Sequence, residues 1–217
     1  MINYKVCVFA YSFSHKKSYE FINILIKEKL IDCVIAAPKK KINIKSNWTP
    51  TKKIFFSKTI FDIKKLCKQN KINYYEIRHE NHSKIRKLCN KLKLNLGLIS
   101  GARILKEEII KLFKYGIINM HPGKIPQTSG LDSFFWMIEK NIDPYVTAHL
   151  IDKYVDRGRI IHETKILVKK YDEFFSLKNR IYSGEKNLLI KIIKTLKNKK
   201  KIKSKKIIKY LKNEQLT

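Results

Sequence analysis

Glycine is scarce in this chain, with seven among 217 residues, and proline scarcer still, with five. No Pro/Gly-rich stretch divides the sequence, so one domain is the economical reading. No apolar run reaches the roughly 18 residues that a bilayer-spanning helix needs, which excludes such a span. The N-terminus, Met1-Ile-Asn-Tyr-Lys-Val-Cys-Val-Phe-Ala10, runs directly into a strand pattern. It lacks the charged, apolar and small-residue regions of a signal peptide, so a cytoplasmic protein is the expectation. The four cysteines, Cys7, Cys33, Cys67 and Cys89, form no Cys-x-x-Cys pair. Each lies in an apolar run, which predicts buried free thiols and no metal site. Acidic residues are also few, 18 against 48 Lys and Arg, for a formal charge of +30. Residues 197–217 alone hold nine lysines and one glutamate. The excess is almost all Lys, in a sequence also abundant in Ile and Asn, which reads as compositional bias. Lysine without clustered Arg or interleaved aromatics argues against specific nucleic-acid recognition.

What is present is an alternation of short apolar strands and helical periodicities. Val6 to Ala10 reads as a strand, followed by a turn and a helix from Lys16 with Tyr19, Ile22, Leu25 and Ile26 on one face. Cys33 to Ala37 is a second strand, and residues 38–53 a surface excursion around Trp48 and Pro50. A helix over 60–71, a strand over 74–77, a helix over 82–92, a strand over 96–100, a short helix over 107–113 and a strand over 116–121 follow. This predicts an α/β fold, a mostly parallel sheet covered by helices on both faces. Asp132 reads as the N-cap of a helix to Ile138. Strands over 146–151 and 159–167 are expected to pair antiparallel, and Asp172 to cap a long helix. The main domain is expected to occupy 1–196, with a lysine-rich tail over 197–217 in which Ile207, Ile208, Tyr210 and Leu211 are interspersed.

The most telling segment is Gly116-Ile-Ile-Asn-Met-His-Pro-Gly-Lys-Ile-Pro126. Strand side chains at i and i+2 share a face, so Asn119 and His121 point the same way. They lie at the strand's C-terminal end, where open α/β sheets place ligands. An amide beside an imidazole can hold a carbonyl oxygen as negative charge develops on it. Asp156, in the loop Asp152-Lys-Tyr-Val-Asp-Arg-Gly158, is the candidate third group. Gly158 is expected to supply the positive φ that turns this loop.

Taken in order, Leu98-Ile-Ser-Gly-Ala-Arg-Ile-Leu105, Gly116 to Pro126, Thr147-Ala-His-Leu-Ile-Asp152 and Val155-Asp-Arg-Gly-Arg-Ile-Ile161 resemble the folate-dependent formyltransferases. The resemblance spans about residues 95–165; the N-terminal third agrees only in its strand–helix pattern. It implies a Rossmann-like domain that moves a formyl group from 10-formyltetrahydrofolate to an amine, with Asn119, His121 and Asp156 as the catalytic trio. Asn119 and a protonated His121 would donate to the formyl oxygen, and Asp156 would raise the pKa of His121. It also implies a pterin pocket that includes Arg103, Ile104, Leu105, Tyr154 and Val155, and no metal. Many members of the family carry His-Pro-Ser where this chain has His121-Pro-Gly123. Gly123 is expected to tune acceptor geometry without loss of activity.

Three acceptors compete. Methionyl-tRNA formyltransferases carry a further C-terminal domain, for which about fifty residues beyond the last catalytic element leave little room. Glycinamide ribonucleotide formyltransferases hold a phosphate on a glycine-rich first turn, but here that turn reads Tyr11-Ser-Phe-Ser-His-Lys-Lys17, without glycine. The expectation is therefore a sugar N-formyltransferase acting on a nucleotide-linked amino-deoxysugar for surface polysaccharide. Tyr11, Lys16 and Gly123 would lie on the acceptor side, near Trp136. A homodimer is compatible with this reading. A reading of another class is a non-enzymatic basic protein that binds RNA or a surface, for which a contiguous lysine face would speak.

Overall fold

The computed structural model describes residues 2–39, 60–198 and 200–206. Most of the surface excursion around Trp48 and Pro50, and the tail positions 207–217, lie outside the described residues. The chain folds as β1 (Val6–Tyr11), α1 (Lys16–Lys27), β2 (Cys33–Ala37), α2 (Ile63–Gln69), β3 (Asn73–Glu76), α3 (His82–Leu92) and β4 (Leu96–Ile99). It continues as α4 (Glu107–Ile110), β5 (Ile117–His121), α5 (Ser133–Glu139), β6 (Tyr145–Leu150), β7 (Arg159–Lys165) and α6 (Phe174–Lys197). The strands form one sheet in the order β3-β2-β1-β4-β5-β6-β7. The first five are parallel to their neighbours, whereas β5–β6 and β6–β7 are antiparallel. The expected α/β sheet with an antiparallel portion toward the C-terminus is therefore present.

The central strands are apolar along their whole length because both faces are covered. Val6, Val8 and Ala10 of β1 pack with Phe21, Ile22 and Leu25 of α1, Leu66 and Cys67 of α2, and the long apolar stripe of α6. Cys7 and Phe9 face the other layer, with Ile85 and Leu88 of α3 and Ile109 of α4. Each fully buried Phe, Ile or Leu contributes about 1.5–3 kcal/mol by leaving water. All four cysteines are buried free thiols.

Helix starts follow local hydrogen bonds. His15 Nδ1 accepts from Ser18 N–H at the start of α1, Asp62 from Lys65 N–H at α2, and Asn81 from Lys84 N–H at α3. Two expected caps differ. Asp132 occupies the cap position of α5 with φ 56° and makes no capping hydrogen bond. Asp172 precedes α6, accepts from Lys169 N–H at 2.7 Å and grips Arg180, so its carboxylate closes a turn instead of capping.

The tail begins to dock after α6. Tyr4 Oη donates to the Lys200 carbonyl at 2.8 Å, Arg159 donates to the Ser204 carbonyl at 3.2 Å, and Lys205 bridges antiparallel to Ile160. Among the described residues, no helix is long and apolar enough to cross a membrane.

Candidate active site

Chain order reverses between β1 and β4, and the C-terminal ends of β1, β4 and β5 open at that switch point, the usual ligand crevice of such sheets. Asn119 and His121 project there from the same face of β5. Antiparallel partners also share a face, so the register Asn119↔His149 and His121↔Thr147 adds two polar residues from β6. His149 and Thr147 are fully buried.

Asp156 joins these groups. Its Oδ1 accepts from Asn119 Nδ2 at 3.2 Å and lies 3.4 Å from His149 Nε2; its Oδ2 lies 3.3 Å from His121 Nδ1 and accepts from Gly130 N–H at 3.1 Å. Ser129 Oγ holds the Asp156 carbonyl at 2.8 Å. The left-handed backbone sits on Asp156 itself, at φ 48°. Gly158, expected to be the positive-φ residue, instead provides room: a Cβ there would lie 1.7 Å from the Leu150 carbonyl oxygen.

Burial pushes the Asp156 carboxyl up, but His149, His121 and the Gly130 amide outweigh it and hold the pKa at about 2. Asp156 is therefore anionic at neutral pH. Burial lowers the pKa of His121; Asp156 and the Thr128 carbonyl oppose this, while His149 and Lys17 add to it. The expected net rise from Asp156 is thus reversed by desolvation, although its direction is present. His121 Nε2 donates to the Thr128 carbonyl at 2.8 Å. Nδ1 faces the anionic Asp156 carboxylate, which favours a second ring proton against the desolvation that favours the neutral ring. His149 Nδ1 is buried without a hydrogen-bond partner among the described residues.

An amide, two imidazoles and a carboxylate thus meet at one strand end, where the Asn-x-His and Asp-x-Gly segments converge. Residues 26–193 match the family model described as Formyl transferase. The chain belongs to the formyl transferase family. It is 29% identical over 202 residues to the bifunctional polymyxin resistance protein ArnA of Wigglesworthia glossinidia brevipalpis, covering 90% of this chain and 28% of that protein. It is 26% identical to methionyl-tRNA formyltransferase of Mycoplasma genitalium, covering 91% of this chain and 60% of that one. The chain therefore spans less than two thirds of either relative. The fold is that of phosphoribosylglycinamide formyltransferase from Streptococcus pneumoniae (TM-score 0.68, 18% identity, 89% of this chain and 99% of that one). It is also similar to a sugar N-formyltransferase from Shewanella (TM-score 0.64, 15% identity, 96% and 74%).

The remaining expected residues divide into groups. Arg103 is anchored, its guanidinium donating to the Pro38 carbonyl at 2.7 Å and facing Glu80 at 3.4 Å, while Ile104 is exposed and Leu105 buried. Tyr154 and Val155 are exposed on the loop that carries Asp156. Tyr11 stacks on Phe13 and donates from Oη to the Ala102 carbonyl at 2.8 Å, which ties the first turn to the loop after β4.

Lys16 does not reach the network. Its Nζ lies 3.9 Å from Glu20 and over the Tyr182 ring. One residue on, about 100° around the helix, Lys17 points to β5 instead, donating to the Met120 carbonyl at 2.9 Å and pairing with buried Glu185. Gly123 lies against the His121 ring: a Cβ there would stand 2.8 Å from His121 Nε2 and 2.5 Å from Thr128 Oγ1. The missing side chain lets the turn close until Thr128 reaches His121, and Thr147 Oγ1 fastens that turn through the Gly123 carbonyl at 2.7 Å. The pairing of β5 with β6 is the signal for His149 and Thr147, and in the sequence only the Thr147-Ala-His segment hints at them. Among the described residues no group of three His, Cys, Asp or Glu is arranged to hold a metal.

Proposed function

We propose that this chain transfers the formyl group of 10-formyltetrahydrofolate to a primary amine, and that the amine belongs to a nucleotide-linked amino-deoxysugar. The observation that carries formyl transfer is the convergence of Asn119, His121 and His149 on Asp156 at the switch-point end of β5. The amine nitrogen attacks the formyl carbon, and the carbonyl electron pair moves to oxygen. Asn119 Nδ2–H and a ring N–H of His121 supply hydrogen bonds to that oxyanion as substrate displaces their present partners. The nitrogen's proton leaves toward Asp156, directly or through water. When the oxyanion collapses, the bond to N10 of the folate breaks and N10 takes up a proton, giving a formamide and tetrahydrofolate.

The sugar acceptor is supported by the glycine-free first turn and by the exposed aromatics on and beside α5, among them Phe135 and Trp136. Aromatic faces suit a sugar ring or base. A second reading, an RNA-borne acceptor, is supported by a hollow of about 280 Å³ between β7, α6 and residues 200–203. It is lined by Lys191, Lys200, Lys201 and Lys203 with His162.

The test is a formyl-transfer assay against nucleotide-linked amino sugars, glycinamide ribonucleotide and charged initiator tRNA. The expected result is turnover of an amino sugar and its loss in Asn119→Ala and His121→Ala, both of which remain folded. Turnover confined to tRNA would replace the sugar reading, and wild-type-like turnover in either variant would overturn the assigned roles.

A further inference from the structure

His79 is a buried titratable group that the chemistry above does not use. It lies between β3 and α3 with no exposed surface. Its Nε2 is 3.2 Å from the Ile35 carbonyl, which can only accept, so Nε2 carries the hydrogen. Its Nδ1 is then bare and accepts from the backbone N–H of Arg103 at 3.4 Å. The ring edge packs on Phe9 of β1, with centroids 5.3 Å apart. One neutral tautomer thus spans from the middle of β2 to the loop after β4.

Tyr11 Oη holds the same loop one residue earlier, at the Ala102 carbonyl. The Arg103 guanidinium binds the Pro38 carbonyl and Glu80, so the same residue is gripped at its backbone by His79 and at its side chain by the chain that leaves β2 and β3. Ile104, the next residue, is exposed. Leu105 beyond it is buried, and a loop held on both sides of an exposed tip can present backbone N–H and C=O groups to a flat heteroaromatic ligand without reordering on binding.

We infer that His79 is a positioning residue for the donor side of the site: it fixes the Arg103–Leu105 loop in the conformation that receives the pterin of the folate. This rests on the folate reading above. His79 touches neither substrate nor the reacting atoms and acts through the Arg103 backbone. Its loss is therefore felt in donor affinity, with the rate at saturation nearly unchanged.

The experiment uses the full chain and folinic acid, a folate that is not the formyl donor of the proposed reaction, in calorimetric titration beside steady-state kinetics. His79→Phe keeps the ring's shape and removes both polar contacts. His79→Gln keeps one donor and one acceptor about as far apart as the ring nitrogens. The expected result is wild-type binding of folinic acid, a loss of about tenfold in His79→Phe that also appears in the donor KM, and recovery in His79→Gln. The acceptor KM and kcat are expected to stay within about threefold, a split that general destabilisation would not produce. Unchanged donor affinity in His79→Phe, or equal losses for donor, acceptor and kcat, overturns the inference while leaving the folate reading standing. Absence of folinic acid binding by the wild type overturns the folate reading and the inference with it. If His79→Phe does not fold, His79→Gln decides together with ring ¹⁵N spectra of the wild type. Those spectra should show the Nε2–H tautomer and a shift of Nδ1 on adding folinic acid; the opposite tautomer overturns the inference.

Discussion

A carboxylate in left-handed backbone is unusual, and Asp156 at φ 48° costs on the order of 1–2 kcal/mol of conformational strain. The strain is offset by the Gly130 amide, Asn119 and two histidines that all bind the anionic form. Asp156→Asn keeps the shape and removes the charge. It is expected to lower kcat/KM by about two to four orders of magnitude, the scale of general-base and electrostatic contributions, as measured with whichever acceptor turns over. His79 gives a second residue-scale expectation. Burial lowers its pKa to about 4 from an ordinary 6.5, with the Ile35 carbonyl and Glu80 opposing and Arg103 adding. The unfolded chain therefore binds the extra proton first. The contribution of neutral His79 is full above pH 6.5 and is lost as pH falls toward 4, by about 3 kcal/mol. Urea titrations from pH 7 to 4 should show that loss in the wild type and a shallower slope in His79→Gln. Parallel slopes would mean that another group governs the acid limb.

At the scale of elements, the β6–β7 hairpin brings Asp156 to β5, and its closure depends on Gly158. With a Cβ 1.7 Å from the Leu150 carbonyl oxygen, Gly158→Ala cannot keep the hairpin in place. The expected outcome is a destabilisation of about 1–3 kcal/mol, measured by thermal melting. The loss of turnover should exceed what unfolding accounts for, because about 1 Å of misplacement costs roughly 10²-fold. Why this hairpin is only half legible follows from what sequence encodes. Period-two alternation in Ile117–His121 reveals that Asn119 and His121 share a face, and the Asp-x-Gly segment points to Asp156. Which residue of β6 stands opposite Asn119 depends on register, which is decided by packing across the pair, so His149 cannot be read from its own neighbours. The positive φ falls on Asp156 and not on Gly158 for a similar reason. A glycine signals freedom, but whether it is used for φ or for room is settled by its approach to Leu150, at the far end of the loop. Lys17 lies one turn before Phe21 and flanks the buried stripe of Ser18, Phe21, Ile22 and Leu25, whereas Lys16 lies opposite it; a stripe centred on Tyr19 and Ile26 hides that difference.

Across the whole molecule, the charge of +30 is not spread evenly in its consequences. Lys5, Lys111, Lys165, Lys186 and Lys197 each face a carboxylate. Such exposed pairs contribute about 0–1 kcal/mol apiece, yet they cancel the local field. Lys200, Lys201 and Lys203 are different, because the tail's docking on β7 gathers them with Lys191 and His162 around one hollow. Lys191 Nζ stands 2.7 Å from His162 Nε2, and burial together with that ammonium lowers the His162 pKa. Lysines are abundant throughout the sequence, and docking explains why these converge. Convergence attracts polyanions whatever the acceptor, so substitution separates field from function. Replacing Lys200, Lys201 and Lys203 together by Ala should weaken binding of a generic RNA duplex and flatten its log–log salt dependence, by roughly 0.9 for each phosphate no longer neutralised. With a nucleotide-linked amino sugar, kcat/KM should stay within about twofold, because the hairpin and β5 network do not include these lysines. If formyl transfer to the sugar falls in step with RNA affinity, the hollow belongs to the acceptor site and the second reading takes precedence.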